Sequence, residues 1–475
     1  MSRKALTGMK DETQSGGVMP VPSALDRLCR FALYTRSSDI PKAAAQRAAL
    51  LLLDTLGICA ASAPMKAGRI GRDTAAMLFG AGAHTGARML FDGRRVSLAG
   101  AVYAAATQTD NLDAHDGYNP TKGHIGVVTA PTLAALAEGR GLSGAEALAA
   151  LVIGYEVAGR AGIALHATAC DYHTSGAWNA LGVVAMAARL RGLTEAQLAH
   201  ALGIAEYHGP RSQMMREIAN PTMLHDGSGW GALAGMSAAV LAEQGFTGAP
   251  AVTVTGPEVG EVWADLGRVW QTELQYIKPY PICRWAHAAI EAAAGLAHAH
   301  VVEANDVAGI EIATFTSAAA LFAGMPATTS EAQYSLPFAV AAMLVHGRIG
   351  LPEISSAGLR DAQVSRLVQA TTVHVAPAFD ARFPQERWAD VTLQLMDGRR
   401  VTSGPTQTRG GPEAPLSADE IVAKYHAYAD PVLGSERAER LRDAVLALPR
   451  GGDFAAVADH LYAPVQTVNG DTHET

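Results

Sequence analysis

The sequence predicts a mainly α protein: a large all-helical domain built from both chain ends, with a smaller inserted α+β domain. Three observations predict it. Ala/Leu-rich stretches with apolar positions at helical spacing run from Pro22 to about Gly267, as in Leu148, Leu151, Tyr155 and Ala158. Between Tyr276 and about Gly404 the pattern changes to segments rich in β-branched residues. Helical patterning then returns after Pro415. The expected division is a mobile tail over 1–20, the helical domain over 21–275 and 405–464, the α+β domain over 276–404, and a polar tail over 465–475. A chain of 475 residues with 49% apolar and only 17% charged side chains can bury a large core, which excludes the disordered class.

The elements follow in order. The first twenty residues carry Lys4, Lys10, Asp11 and Glu12 and lack the apolar block of a signal peptide. Ala48–Ala63 and Ala147–Ala161 are the most apolar stretches. Asp54 and Glu156 interrupt them short of the roughly 18 residues a membrane span requires, so both read as buried helices and no membrane partner is expected. Ser143 with Glu146, and Thr194 with Gln197, have capping-box spacing, in which a hydroxyl and a carboxyl or amide three residues on satisfy each other's backbone N–H. Strands are expected at Val307–Phe315 and Thr371–Ala376, and a hairpin at Val391–Leu395 and Arg400–Ser403. Its turn, Met396-Asp397-Gly398-Arg399, has a central Asp-Gly pair that tolerates positive φ at both positions. A helix is expected over Ser330–His346. After the loop Gly404–Pro415, Ser417 with Glu420 caps another helix, and Glu436–Leu448 forms one more.

Composition narrows the partners. Thirty-seven basic against 45 acidic side chains give a net charge of -8 with no basic run, which argues against nucleic acid. Cys29, Cys59, Cys170 and Cys283 form no Cys-x-x-Cys pair, which argues against a disulfide framework and a cysteine zinc cage. A reducing, cytoplasmic setting is expected.

Chemistry-bearing residues gather at element ends. The densest cluster runs from Asp110 to His124 and holds Asp110, Asp113, His115, Asp116, Lys122 and His124 in an otherwise charge-poor chain. Asp110 and Asp113 lie one helical turn apart, so both carboxylates are expected to face one cavity. A second cluster, Cys170 to Gly176, contains His173, with Thr174 or Ser175 as the cap of the next helix. A third, Met223 to Gly231, contains His225 and Asp226 beside glycines that permit close packing or ligand approach. A fourth, Lys278-Pro279-Tyr280-Pro281-Ile282-Cys283-Arg284, lies at the border of the two expected domains, where clefts form.

Taken in order with Gly245-Phe246-Thr247-Gly248 and with Glu331 to Phe338, these clusters resemble the MmgE/PrpD family, from about Pro22 to Pro464. That family includes 2-methylcitrate dehydratase, cis-aconitate decarboxylase and iminodisuccinate epimerase. The resemblance implies catalysis on small di- or tricarboxylates without an organic cofactor or metal, in a cleft between the two domains of a homodimer. Carried over by position, it marks Asp110, His124, His173 and Lys278 as active-site residues, with Tyr334 beside them. Ala114 and His115 stand where the dehydratases and decarboxylases carry a threonine, His225 where a lysine is common, and Cys283 where a histidine is common; the pattern is similar to the epimerase side of the family.

The reactions of that family share removal of a proton or carboxylate from a carbon beside a carboxylate, which leaves an enolate-like charge. Lys278, with Lys122 and Arg284 as helpers, is suited to hold carboxylates and that charge. His124 is suited to proton transfer, with Asp110 or Asp113 orienting an imidazole and His173 or Tyr334 acting on the opposite face. His115, His225 and Cys283 complete the expected substrate-contacting set. Two other readings compete. Asp110, Asp113 and Asp116 form an acidic ladder of the kind that holds Mg²⁺ in helical diphosphate enzymes, although no second acidic motif accompanies it and aromatic residues are only 6%. Alternatively, the polar clusters are capped helix ends and satisfied core histidines of a non-catalytic binding protein.

Overall fold

Several helices begin where the sequence supplies caps. In the computed structural model, which describes residues 22–82, 86–300 and 302–465, Ser143 and Glu146 open helix Gly144–Thr168 with a reciprocal capping box; Thr194 and Gln197 do the same for Glu195–His208, and Ser417 and Glu420 for Ala418–Leu433. The tails expected at 1–20 and 465–475 lie outside the described residues, apart from Val465. The remainder is mainly α, with a five-stranded mixed sheet and a two-stranded antiparallel one, Ala87–Arg88 with Arg95–Val96.

Gly144–Thr168 packs against Gly176–Arg191, which packs against Ser228–Glu243, which in turn packs against Leu98–Asp110. Glycine makes this spacing attainable: a Cβ on Gly182 would meet the Gly154 carbonyl oxygen at 2.6 Å, and one on Gly235 the Ala180 carbonyl oxygen at 2.4 Å. The two most apolar stretches are longer than expected. Their helices, Lys42–Ser62 and Gly144–Thr168, have 21 and 25 residues and run straight through Asp54 and Glu156. Each acid is tolerated because it is paired inside the protein: Asp54 with Lys424 at 2.6 Å, and Glu156 with Arg160 at 2.6 Å. Both helices are long and apolar enough to cross a membrane, yet 72% and 94% of their apolar windows are buried among neighbouring helices. Lys424 belongs to Ala418–Leu433, so a helix from the end of the chain packs on one from its beginning.

The mixed sheet has the order Thr371–Val375, Val307–Thr314, Trp388–Leu395, Arg400–Thr402, with the first pair parallel and the others antiparallel. A fifth short strand, Thr406–Gln407, pairs with Trp388 and Ala389, just past the expected end of the α+β segment at 404. The hairpin forms, with Leu393 opposite Val401. At its turn only Gly398 has positive φ, at 87°; Asp397 does not, and its carboxylate instead accepts the Arg399 N–H at 3.0 Å. Helices His287–His300 and Leu336–His346 pack together, the former against the sheet.

The helix expected over Ser330–His346 is broken. Thr329–Gln333 ends, and Leu336–His346 starts anew behind Ser335, whose hydroxyl accepts the Phe338 N–H at 3.3 Å, with Pro337 in its first turn. A proline there supplies no N–H, which suits a helix start and not a helix interior. Tyr334 sits in the break. The apolar core around the sheet also takes in Leu112, Met214 and Ile218 from the helical part, so the loop after Leu98–Asp110 lies where two bodies of packing meet.

Candidate active site

Helix Leu98–Asp110, capped by Ser97, stops at Asp110, and Asp113 adopts φ 50°. Asp113 is therefore off the helix, and the expected one-turn spacing of Asp110 and Asp113 does not apply. The chain passes through Gly117, which bridges to Tyr276, into the turn Asn119–Thr121 and ends it at Lys122 with φ 55°. Among the described residues, the non-glycine positions with positive φ are Phe91, Asp113, Lys122 and His225. Three of the four are in the clusters singled out above. Such backbone costs about 1–3 kcal/mol per residue and persists where the surroundings over-determine it.

A cavity opens here, lined by Asp113, His124, Asp226, Lys278 and Tyr334, with Lys122, Cys283, Arg284 and Arg387 around them. Lys278 is 1% exposed; its ammonium donates to the Asp113 carbonyl at 2.9 Å and forms an ion pair with the Asp113 carboxylate. The rigid stretch Pro279-Tyr280-Pro281 follows it, and the Cys283 N–H donates to the Gln333 carbonyl at 2.7 Å, which ties this stretch to the break that carries Tyr334.

His124 is held at both ends. Its Nδ1 lies 2.6 Å from the Asp116 carbonyl oxygen, which can only accept, so Nδ1 carries the proton in the neutral ring and Nε2 is free for chemistry. Nε2 lies 3.5 Å from Oδ2 of Asp226 and 3.8 Å from Oδ1 of Asp113. The His124 backbone N–H donates to Ser175 Oγ at 2.9 Å, and that hydroxyl donates to Oδ1 of Asp226 at 2.7 Å. Ser175 thus precedes helix Gly176–Arg191 without capping it by its side chain. Burial and then the Lys278 ammonium hold the His124 imidazole below its usual range, while Asp226 and Asp113 oppose them.

Behind this ring lies His115, tilted at 54° with the ring centroids 4.5 Å apart, fully buried and with neither nitrogen hydrogen-bonded; its Nε2 is 3.8 Å from Oδ1 of Asp110. Burial and the neighbouring His124 hold His115 well below the imidazole range. Burial, with Asp226 and Asp113 close by, pushes the Asp110 carboxyl well up, although it accepts the Ser228 N–H at 3.1 Å. His225 packs 5.6 Å from the Tyr334 ring, has no partner at either nitrogen, and is lowered to about 4 by burial.

Three further cations border the cavity. The Lys122 ammonium lies 4.0 Å from the Tyr172 ring centroid, and the Arg284 guanidinium 4.4 Å from that of Tyr276. Arg387 is 1% exposed. Among the described residues, none of these three is ion-paired with a carboxylate, and burial lowers the pKa of all three. With Lys278 neutralised by Asp113, the cavity carries a surplus of positive charge suited to an anion.

Residues 26–262 match the MmgE/PrpD N-terminal domain and residues 280–450 the MmgE/PrpD C-terminal domain. The chain belongs to the MmgE/PrpD family. Its relatives include the cis-aconitate decarboxylase-like protein oryM of Aspergillus oryzae, 24% identical over 94% of this chain and 97% of the relative. They also include cis-aconitate decarboxylase of Aspergillus terreus, 24% identical over 93% and 96%, and that of Homo sapiens, 25% identical over 77% and 79%. These MmgE/PrpD relatives are named as decarboxylases, so the family is one of lyase-type enzymes.

Of the residues expected at an MmgE/PrpD site, Asp113, Lys122, His124, Lys278, Cys283, Arg284 and Tyr334 line the cavity. Asp110, His115 and His225 stand directly behind it. His173 does not line it: its backbone bridges to Gln213, its N–H donates to His166 Nε2 at 3.3 Å, and its neighbour Tyr172 faces the cavity instead. The acidic ladder required by the magnesium reading does not form, because the Asp116 carboxylate turns to the Gly126 N–H at 3.1 Å; among the described residues no group of three or more His, Cys, Asp or Glu is arranged to hold a metal. Asp226, Arg387, Tyr172 and Tyr276 are cavity residues that the sequence reading did not select. Asp226 adjoined a selected residue, whereas Arg387 lies in a stretch with no local signal.

Proposed function

We propose that this MmgE/PrpD protein is a cofactor-independent carbon-acid enzyme, a lyase acting on a small di- or tricarboxylate. The observation that carries the proposal is the pairing of His124, its tautomer fixed by the Asp116 carbonyl, with cations that have no carboxylate partner in the same buried cavity. Buried guanidinium groups without counter-ions are unfavourable in the empty protein, and a polycarboxylate would supply the missing charge.

In this reading the substrate carboxylates sit against Lys122, Arg284 and Arg387, and Lys278 faces the reacting carbon. His124 Nε2 takes up or returns the proton at the carbon beside a carboxylate, and Asp226 and Asp113 stabilise the imidazolium while it carries that proton. The electron pair left on carbon delocalises onto the carboxylate as an enolate, which Lys278 stabilises. Burial holds the Tyr334 phenol well above its ordinary range, so it stays protonated and able to donate to a leaving group or to the opposite face. In a decarboxylation, CO₂ leaves its bonding electrons on the carbon, and that carbon receives a proton that His124 Nε2 has first taken up from solvent. In a dehydration, His124 removes the C–H proton and the hydroxyl leaves with a proton from the acid. The likeness to cis-aconitate decarboxylases favours bond cleavage over epimerisation.

The test is incubation in D₂O with cis-aconitate, citrate, 2-methylcitrate and iminodisuccinate isomers, followed by NMR. Release of CO₂ with solvent deuterium at the protonated carbon, or loss of water, is the expected result. Exchange with inversion and no cleavage would replace the lyase with an epimerase, and inertness toward every compound would overturn the proposal.

A further inference from the structure

We propose that Arg387, steadied by Asn119 and accompanied by Lys122, receives a second carboxylate of the substrate and so restricts the enzyme to polycarboxylates; this rests on the polycarboxylate reading above. The Nη1 group of Arg387 donates to Asn119 Oδ1 at 2.7 Å and to the Pro384 carbonyl at 2.9 Å. Its Nε and Nη2 are buried and have no partner. Those two atoms form one edge of the guanidinium, the edge whose parallel N–H groups match the two oxygens of a carboxylate. One edge is therefore anchored by the protein, and the other lacks an acceptor in a side chain that lines the cavity.

The surroundings leave the charge available to a ligand. The Phe383 ring lies 5.7 Å from the Arg387 guanidinium and 5.9 Å from the Lys122 ammonium, and Lys122 rests on Tyr172, so rings, not acids, flank both cations. The Arg387 charge is among the causes that hold the Lys122 pKa down, and an anion between them would relieve that repulsion. Asn119 joins the two sides: its Oδ1 accepts from Arg387 and its Nδ2 donates to the Gln385 carbonyl at 3.3 Å, tying the turn that carries Lys122 to the segment that carries Arg387. A lone carboxylate held near Lys278 would leave the Arg387 edge unfilled, whereas a di- or tricarboxylate would fill it.

The experiment is an NMR binding titration of the full chain with tricarballylate, glutarate and butyrate, which carry three, two and one carboxylates. Arg387→Met and Arg387→Lys should each lose about tenfold or more in affinity for tricarballylate and glutarate and change less than about twofold for butyrate. Asn119→Asp, which sets a carboxylate against Arg387, should weaken the same two ligands selectively and decides the matter if Arg387→Met fails to fold. Equal losses for all three ligands, or no loss for any, would overturn the clamp and leave the polycarboxylate reading standing. A wild-type protein that binds neither tricarballylate nor glutarate would overturn both.

Discussion

Lys278 donates its ammonium to the backbone carbonyl of Asp113 at 2.9 Å as well as pairing with that residue's carboxylate, and both side chains are almost fully buried. One lysine thus fixes the left-handed backbone of Asp113 and sets a cation beside His124. Removing it alone strands a buried carboxylate, a change that typically destabilises by about 3–5 kcal/mol. Lys278→Met should therefore lose both turnover and stability by denaturant unfolding. Lys278→Met combined with Asp113→Asn should recover most of the stability and none of the turnover. A single variant as stable as the wild type would contradict the pairing.

Lys424 reaches the same loop from the other end of the chain. Its ammonium donates to the Ala114 carbonyl at 2.6 Å and pairs with Asp54 at 2.6 Å, so helix Ala418–Leu433 supports the backbone between Asp113 and Asp116. Lys424→Met should lower the melting temperature strongly. Adding Asp54→Asn should restore part of it while the turnover number stays reduced, because the Ala114 carbonyl still lacks its donor. Full recovery of turnover in the double variant would show that the loop does not depend on Lys424.

Asp116 gives a pH signature. Burial pushes its carboxyl up to about 7 from the ordinary 3.8. Below about pH 4 it is neutral folded and unfolded alike; from there to about 7 only the folded state holds the proton, so the stability this group contributes is lost as pH rises over that interval. Asp116→Asn keeps an acceptor for the Gly126 N–H and has no such loss. The melting temperature of the variant minus that of the wild type should rise between pH 4 and 7 and level off above. A difference independent of pH would contradict the assignment.

The parts legible in the sequence were those encoded locally. Capping pairs such as Ser143 with Glu146, and the Asp397-Gly398 turn, declare themselves within four residues, and Asp110 to His124 stood out because the rest of the chain carries so few charges. Nothing in the neighbours of Asp113 announces a left-handed residue; Lys278, far along the chain, holds it there. The break at Tyr334 was signalled by Ser335 and Pro337 but outweighed by the apolar run around them. Arg387 reads as one more polar residue in Ala-Arg-Phe-Pro-Gln-Glu-Arg-Trp, and its burial arises only when that stretch folds onto Asn119.

The central claim is that His124 moves the proton in this cavity. It is tested most directly by the rate of deuterium transfer or bond cleavage for His124→Gln against wild type, on whichever carboxylate the wild type turns over, with binding of that compound measured alongside. The expected result is a fall of about 10²- to 10⁴-fold in turnover with affinity largely kept, because the cations remain in place. Turnover within a fewfold of wild type would contradict it.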